Sequence, residues 1–422
     1  MNILETKSTR RKLIAAGFGT AVGFCLPGCY GSRIRVGEEI VVSQSDKKEH
    51  PWGEYQFPTI ARLNPDRLTL TFQRFVDSAS LDSADKHLSP AVYISKDGGN
   101  TWGESREVVD SLGHRSIGYS GENLFYLKHP PVINLERDVL PPVIRCVDHG
   151  YGGCYHVRDP LEMGGVLENS GAWFFMEKEL KDSLWNKRRA RINDLEAGII
   201  SYDPPGENYA VMHWFRNMNT IKLSDNSFLA AFYGYRLKEK NRDIRLKKQQ
   251  SWCLGSSDGG STWNLRGIIA KDLHRKIHFG EPNIIELRDN SILAMVRTTC
   301  SNLGPLYKTI SKDNGRTWED LKEVHPFGVL PNILKLENGV NVLSFGRPGA
   351  HILFDRGGLG KRFCELTTLV QEQKIQTRTS GYTGLVATGR DKFLVVYDQF
   401  DYPNKDNQPR KTILAREIEI KN

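Results

Sequence analysis

Side chains that can move protons or take up negative charge recur at matching places along this 422-residue chain. Arg74, Arg145, Arg297 and Arg347 each end a short apolar run, and Tyr233 ends another. His129, Asn217 and Glu281 each open such a run, as does Gly381 with Tyr382 beside it. A guanidinium presents a planar fork of donors that matches a carboxylate or a sulfate, so several converging on one point would hold an acidic ligand. A histidine, a glutamate and tyrosines next to that ligand would supply the acid, base and nucleophile for its chemistry. These residues are far apart in sequence. Only a fold that repeats one unit around a common centre can collect them.

The repeated unit is legible in six copies, each an apolar strand, a polar turn and a second apolar strand. They are FPTIARLNPDRLTLTFQR from Phe57, HPPVINLERDVLPPVIR from His129, NMNTIKLSDNSFLAAFY from Asn217, EPNIIELRDNSILAMVR from Glu281, LPNILKLENGVNVLSFGR from Leu330 and GYTGLVATGRDKFLVVYD from Gly381. The later copies start about fifty residues apart, the length of one four-stranded propeller blade. In a propeller the inner strands surround a central channel. The paired strands run antiparallel, so the start of the first and the end of the second meet at one mouth. Aligning the copies therefore brings His129, Tyr233, Glu281, Tyr382, Asn217 and the four arginines to one rim. The last copy is one strand short, and RIRVGEEIVVSQ near the N-terminus can supply the missing strand and close the ring. Between His129 and Asn217 lies more chain than one blade needs, including WFFMEKELKDSLWNKRRARINDL, read either as a helix-bearing insertion or as a seventh blade.

One eight-residue phrase, SxDxGxTW, occurs three times, from Ser95 to Trp102, Ser256 to Trp263 and Ser311 to Trp318. The Asp can cap its own turn, the glycine can take a positive φ, and the Trp can pack beneath the turn as the chain re-enters a strand. The phrase is a turn device, and its Asp is structural. Together these features imply an all-β fold: a six- or seven-bladed β-propeller with repeated Asp turns, closed by an N-terminal strand. Residues 30–422 are expected to form it as a single catalytic domain.

The phrase resembles the Asp box of sialidases and related bacterial propellers. On that resemblance Glu281 corresponds to the base that activates a tyrosine nucleophile, Tyr382 in SGYTGL to that nucleophile, and Arg297 and Arg347 to two of the three arginines that clamp a sugar carboxylate. The N-terminal half departs from the family pattern. Where the family carries the first clamp arginine, two residues before a proline, this chain has Gln56 before Phe57 and Pro58. The acid/base aspartate has only the candidates Asp77, Asp82 and Asp85. His129 stands where an acid/base group is useful, and a histidine among tyrosines and arginines can remove the acidic C5 proton of a uronate. In roles, though not in motif, this resembles the propeller-type lyases of algal uronate polymers such as ulvan lyases. His149, His156, His213 and Arg216 are second-choice members of that site. The expectation is therefore an exported carbohydrate-active enzyme on acidic glycans. β-Elimination at a uronate is placed ahead of sialidase-type hydrolysis, and non-catalytic glycan binding comes third.

The remaining features bear on cofactor, partner and location. Thr9-Arg10-Arg11-Lys12-Leu13, an apolar run and Leu26-Pro27-Gly28-Cys29 resemble a twin-arginine export signal joined to a lipobox. Cleavage of this signal would leave Cys29 as the acylated N-terminus of the mature protein, its lipid the one expected link to a membrane, and the protein exported as a periplasmic or cell-surface lipoprotein or secreted. Loss of the charges on this segment lowers the formal net charge from +8 to +5, which suits an anionic substrate and equally plain solubility. No zinc-finger spacing, long basic helix or aromatic RNA motif is present, so nucleic acid is not expected as a partner. No cofactor is required by this chemistry. Cys146, His149, Cys154 and His156 in RCVDHGYGGCYHVRD have zinc-compatible side chains, and a structural zinc, a disulfide and a plain loop all remain open for them.

Overall fold

The computed structural model describes residues 34–47, 52–74, 90–106, 116–128, 133–136, 143–148, 154–158, 173–193, 199–202, 208–213, 215–234, 249–272, 277–299, 304–374 and 376–421. Strand β1 is Ile34–Gln44, and β2 (Gln56–Asn64), β3 (Arg67–Gln73), β4 (Ala91–Ser95) and β5 (Gly103–Ser105) form one antiparallel sheet. Next come β6 (Gly118–Ser120), β7 (Asn123–Lys128), β8 (Ile133–Glu136), β9 (Val143–Asp148), β10 (Cys154–Arg158), β11 (Trp173–Glu179), β12 (Asn186–Ile192), β13 (Ile199–Tyr202) and β14 (Asn208–His213). The C-terminal half holds β15 (Phe215–Lys222), β16 (Phe228–Gly234), β17 (Gln250–Ser256), β18 (Thr262–Ala270), β19 (His278–Glu286), β20 (Ile292–Thr299), β21 (Leu306–Ser311) and β22 (Lys322–His325). It ends with β23 (Val329–Lys335), β24 (Asn341–Gly346), β25 (Ala350–Asp355), β26 (Cys364–Val370), β27 (Thr383–Ala387), β28 (Lys392–Pro403) and β29 (Pro409–Ile420).

Six four-stranded antiparallel units arise from these strands among the described residues: β2–β5, β6-β7-β11-β12, β15–β18, β19–β22, β23–β26 and β27-β28-β29-β1. Their innermost strands touch in a ring, β27 on β2, β23 on β27, β19 on β23, β15 on β19 and β6 on β15. Tyr119 of β6 closes the circle on β2, its hydroxyl accepting from Arg62 N at 3.0 Å. The protein is a β-propeller. As expected from the missing strand, β1 completes the last unit by pairing antiparallel with β29, so these two strands lock each other.

Alternation along the strands sends apolar side chains to both faces of each sheet, and neighbouring sheets close a core between them. The seam between the β6–β12 and β15–β18 units is filled by Phe125, Trp173, Phe175, Phe228, Phe232, Trp252 and Trp263, each contributing on the order of 2–3 kcal/mol by leaving water.

All three Asp phrases join the third and fourth strands of a unit. Thr101 N, Thr262 N and Thr317 N donate to Asp97, Asp258 and Asp313 at 2.9, 2.9 and 2.8 Å, and each Trp Nε1 donates to its own box glycine carbonyl. They also reach across the seams. A Cβ at Gly260, where φ is +85°, would stand 2.4 Å from the Phe175 ring of the preceding unit, and one at Gly99 would stand 2.2 Å from Leu394. The boxes are thus glycine-sized contacts between units as well as turn caps. Burial works against the Asp313 charge, but the Thr317 hydroxyl and amide and the Ser311 hydroxyl outweigh it and hold its pKa at about 2. Stability from this depressed carboxyl is complete above the unfolded value, roughly 3.9, and is lost as pH falls through about 2. Asp313→Asn should therefore lower stability at neutral pH and flatten its fall over that acid window; denaturant midpoints measured at several pH values would show it.

The second copy of the inner-strand ladder is not a blade hairpin. β8 and β9 lie at opposite edges of a separate five-stranded sheet, order β8-β14-β13-β10-β9, where β8 pairs with β14 and β9 with β10. Pro130, Pro131, Pro141 and Pro142 remove amide donors from the ends of both runs, which weakens the pairing they would need. The true inner pair is β6 and β7, turning at Gly121 with φ +59°. The stretch from Trp173, for which a helix was one expectation, is the β11–β12 hairpin, with Trp173 facing Ala190 and Phe175 facing Arg188 across it. Its aromatic residues bury on a pleated surface, overriding the helical propensity of the Glu/Lys/Leu run that follows.

Candidate active site

The inner strands carry a repeated irregularity at their entry. The β2–β3, β15–β16, β19–β20 and β23–β24 ladders each slip between Gln56 and Thr59, Asn217 and Asn219, Gly280 and Asn283, and Val329 and Asn332. In three of these bulges a non-glycine residue is left-handed: Phe57 at φ 59°, Glu281 at 46° and Leu330 at 42°. Gly381 takes φ 77° at the corresponding place before β27. A bulge re-aims one side chain away from the alternation of the strand, and a left-handed bulky residue persists only where its surroundings hold it.

At Glu281 the holding groups are visible. Its Oε2 accepts from Leu330 N at 2.7 Å, so the bulge of one unit is tied to that of the next. Its Oε1 accepts from Arg297 Nη1 at 2.7 Å and from the Tyr382 hydroxyl at 2.8 Å. Glu281 is 7% exposed. Burial pushes its carboxyl up, but the Arg297 charge, the Tyr382 and Leu330 donors and Arg347 together outweigh it and keep the group below the usual glutamate range. The carboxylate is therefore ionised and in contact with a phenol proton. Burial likewise opposes the Arg297 charge, while Glu281, Tyr382 and Tyr233 nearby reinforce it.

Arg347 reaches the same place by a different route. Arg297 lies within β20, paired with Gly280, whereas Arg347 follows the end of β24, whose Gly346 pairs with Val329. A left-handed backbone, φ 61°, turns Arg347 inward, and its Nε and Nη2 donate to Ser380 O at 3.1 and 2.9 Å. Its guanidinium stands 5.5 Å from the Tyr382 ring and 5.8 Å from the Trp52 ring. It is 7% exposed, and among the described residues no carboxylate lies within ion-pair distance of it. Gly381 is needed for this approach, since a Cβ there would stand 2.5 Å from Arg347 N.

The loop that presents Tyr382 hangs from Asp398. One carboxylate oxygen accepts from Ser380 N at 2.6 Å and Thr379 Oγ1 at 2.8 Å. The other accepts from Phe57 N at 3.1 Å and from the Ser380 hydroxyl. Burial pushes the Asp398 carboxyl above its ordinary value, and these donors pull back only part of the way. Asp398, the last residue of the copy that starts at Gly381, thus faces inward and sets the height of Tyr382.

Glu281, Arg297, Arg347 and Tyr382 are brought together, and Tyr233 packs beside Gly280, next to Glu281. Two other expected residues are drawn elsewhere. Arg74 turns to the outer strand of its own sheet, pairing with Glu104 at 2.8 Å and donating to the Tyr93 hydroxyl at 3.0 Å. Asn217 spends its amide nitrogen within the seam, on Leu127 O at 3.0 Å and Thr220 Oγ1 at 3.2 Å. Arg145 falls on β9 of the five-stranded sheet, opposite Val157, and so not on the second strand of a blade. In the same sheet Cys146 faces His156 and Cys154 faces Asp148 in backbone register. The side chains of Arg145, Cys146, Cys154 and His156, and all of His129, His149, Asp77, Asp82, Asp85 and Cys29, lie outside the described residues. Trp52 was not foreseen. Its signal is an aromatic residue in the Trp-Gly-Glu-Tyr turn that leads into β2.

No protein-family model matches the sequence, and no curated protein matches it. Among solved structures the chain is similar to a protein of unknown function from Dyadobacter fermentans, with a TM-score of 0.62 at 17% identity over 92% of this chain and 99% of that one. It is also similar to the Hadza microbial sialidase Hz136, with a TM-score of 0.49 at 13% identity over 85% of this chain and 65% of that one. An α-L-arabinanase of Penicillium chrysogenum gives a TM-score of 0.48 at 14% identity over 90% of this chain and 98% of that one. The first of these likenesses establishes a shared fold over 92% of this chain.

Proposed function

We propose that the protein is a carbohydrate-active enzyme that cleaves an acidic glycoside by hydrolysis, with Tyr382 as nucleophile and Glu281 as its base. One observation carries this reading: a phenol donates at 2.8 Å to a buried, ionised carboxylate, beside a buried arginine that has no carboxylate within ion-pair distance among the described residues. Arg347 is then the place for the negative group of the substrate, with Arg297 adjoining it.

In the first half-reaction Tyr382 Oη attacks the anomeric carbon, its proton passes to Glu281 Oε1, and the glycosidic C–O bond breaks. The leaving oxygen takes a proton from an acid on the far side, for which Asp77, Asp82 and Asp85 are the sequence candidates. Water then attacks the same carbon and gives a proton to the carboxylate that had served as acid, while Glu281 returns its proton to Tyr382 Oη as the C–O bond to Tyr382 breaks. A carboxylate kept below its usual range is a weak base until its positive neighbours are shared. The incoming substrate anion takes up part of the field of Arg297 and Arg347, which raises the proton affinity of Glu281 as the site fills.

Elimination at a uronate, preferred on sequence, relies on His129 as base, whereas hydrolysis uses groups already in contact. Hydrolysis therefore becomes the preferred reading. Fluorogenic aryl glycosides of glucuronate, galacturonate and N-acetylneuraminate, together with uronate polysaccharides, separate the possibilities. Release of the aryl alcohol supports hydrolysis. A new ultraviolet absorbance from an unsaturated uronate, with no release, would overturn it in favour of elimination, and acid-glycan binding without either would leave a binding propeller. For a hydrolysed glycoside, Arg347→Gln should raise KM about 10- to 100-fold, the loss of one charge-assisted contact, with a smaller change in kcat. We also propose, from the export features of residues 1–29, that the protein acts outside the cytoplasm, and mass spectrometry of the mature N-terminus at Cys29 tests this.

A further inference from the structure

The position that the sialidase resemblance assigns to the first clamp arginine is occupied by Gln56, which is fully buried. Its amide oxygen accepts from Gly53 N, committing the side chain to the turn before β2. The next residue, Phe57, faces the site instead. Its left-handed backbone is fixed by Asp398, and its ring lies 4.9 Å from the Tyr382 ring. Trp52 packs edge-on against Phe57 at 5.7 Å and against Phe400 at 6.1 Å. These three rings are half-buried, and they belong to none of the apolar cores that close the seams. A bulky residue held in a strained conformation, and aromatic rings left out of the core beside a nucleophile, point to a ligand surface. Arg347, within 6 Å of the Trp52 and Tyr382 rings, puts the anion position and these rings within reach of one ligand.

We infer that Trp52, Phe57 and Phe400 form an apolar shelf that takes the C–H face of the sugar ring whose carboxylate sits at Arg347. The site selects a ring sugar with one negative charge, held by Arg347, which has no carboxylate within ion-pair distance among the described residues, and by the aromatic rings beside it. This inference rests on the acidic-glycan reading and deepens it.

The test is equilibrium binding by calorimetry on the full propeller, without turnover. The probes are the methyl glycosides of glucuronate, galacturonate and N-acetylneuraminate. Methyl xyloside and methyl arabinopyranoside, which keep the uronate rings but lack the carboxylate, are the neutral partners. Wild-type protein should bind at least one acid. Trp52→Ala and Phe57→Gly, the latter suited to the left-handed backbone, should each weaken that acid about tenfold. Arg347→Gln should reduce the acid to the affinity of its neutral partner, with the shelf contribution intact. Unchanged affinity in both shelf variants, with unchanged denaturant midpoints, would overturn the shelf and leave the acidic-glycan reading standing. Failure of wild-type protein to bind any acid would overturn both.

Discussion

Tyr382→Phe should abolish turnover while leaving fold and ligand affinity nearly intact. The substitution removes one oxygen. The ring keeps its contacts with Phe57 and Arg347, and Glu281 Oε1 keeps its 2.7 Å bond to Arg297. The stability change should therefore be about 1 kcal/mol, the net worth of one hydrogen bond. Among the described residues, however, Tyr382 is the nucleophile that donates to the base, and a phenylalanine ring cannot replace it. A fall in kcat on the order of 10³-fold or more, roughly 4 kcal/mol in the barrier, is expected with an aryl glycoside substrate. The dissociation constant should stay within a few-fold. Retained turnover would show that another group attacks, or that none does.

Asp398→Ala should cost on the order of 3–5 kcal/mol of stability, the largest loss expected from a single polar residue here. The carboxylate is fully buried and is the acceptor for two backbone amides, Ser380 N and Phe57 N, and for two hydroxyls. The hydroxyls can turn to other partners. The amides cannot, and each buried donor left unmade costs about 1–3 kcal/mol, with a cavity added. The two amides belong to opposite sides of the ring closure, one before β27 and one in β2, so the damage spreads to Tyr382 and Phe57 together. A shift in the guanidinium midpoint at unchanged slope would report it. A loss below about 1 kcal/mol would mean that the 379–382 loop is held by something else.

Glu281, Arg297 and Tyr382 were legible because the sequence signals agree where they lie. The Asp phrases fix the phase of the units, and the Asp/Asn turns between inner strands, as in LRDNS, fix the register within each unit. The alignment breaks where one residue of offset matters. Arg74 and Arg347 both sit one place beyond the strand pairing that holds Arg297, yet only Arg347 is turned inward by a left-handed backbone. Composition carries no trace of that choice. The ladder also misled at His129, where prolines interrupt two runs that look like inner strands and belong to another sheet. Asp398 was visible in the alignment but not its task. A buried carboxylate that collects backbone amides has no signature in the local sequence, because its partners lie at Phe57 and at 379–380.

The central claim is that Tyr382 forms a bond to the sugar. A fluorinated glycoside of whichever acid the protein cleaves, with fluorine beside the anomeric carbon and a good leaving group, slows release of the intermediate more than its formation. Intact mass followed by peptide mapping should then find one sugar added per chain, on the peptide containing Tyr382, and none on Tyr382→Phe. A sugar on another residue, or turnover of the parent glycoside with no adduct and undiminished activity in Tyr382→Phe, would contradict the account.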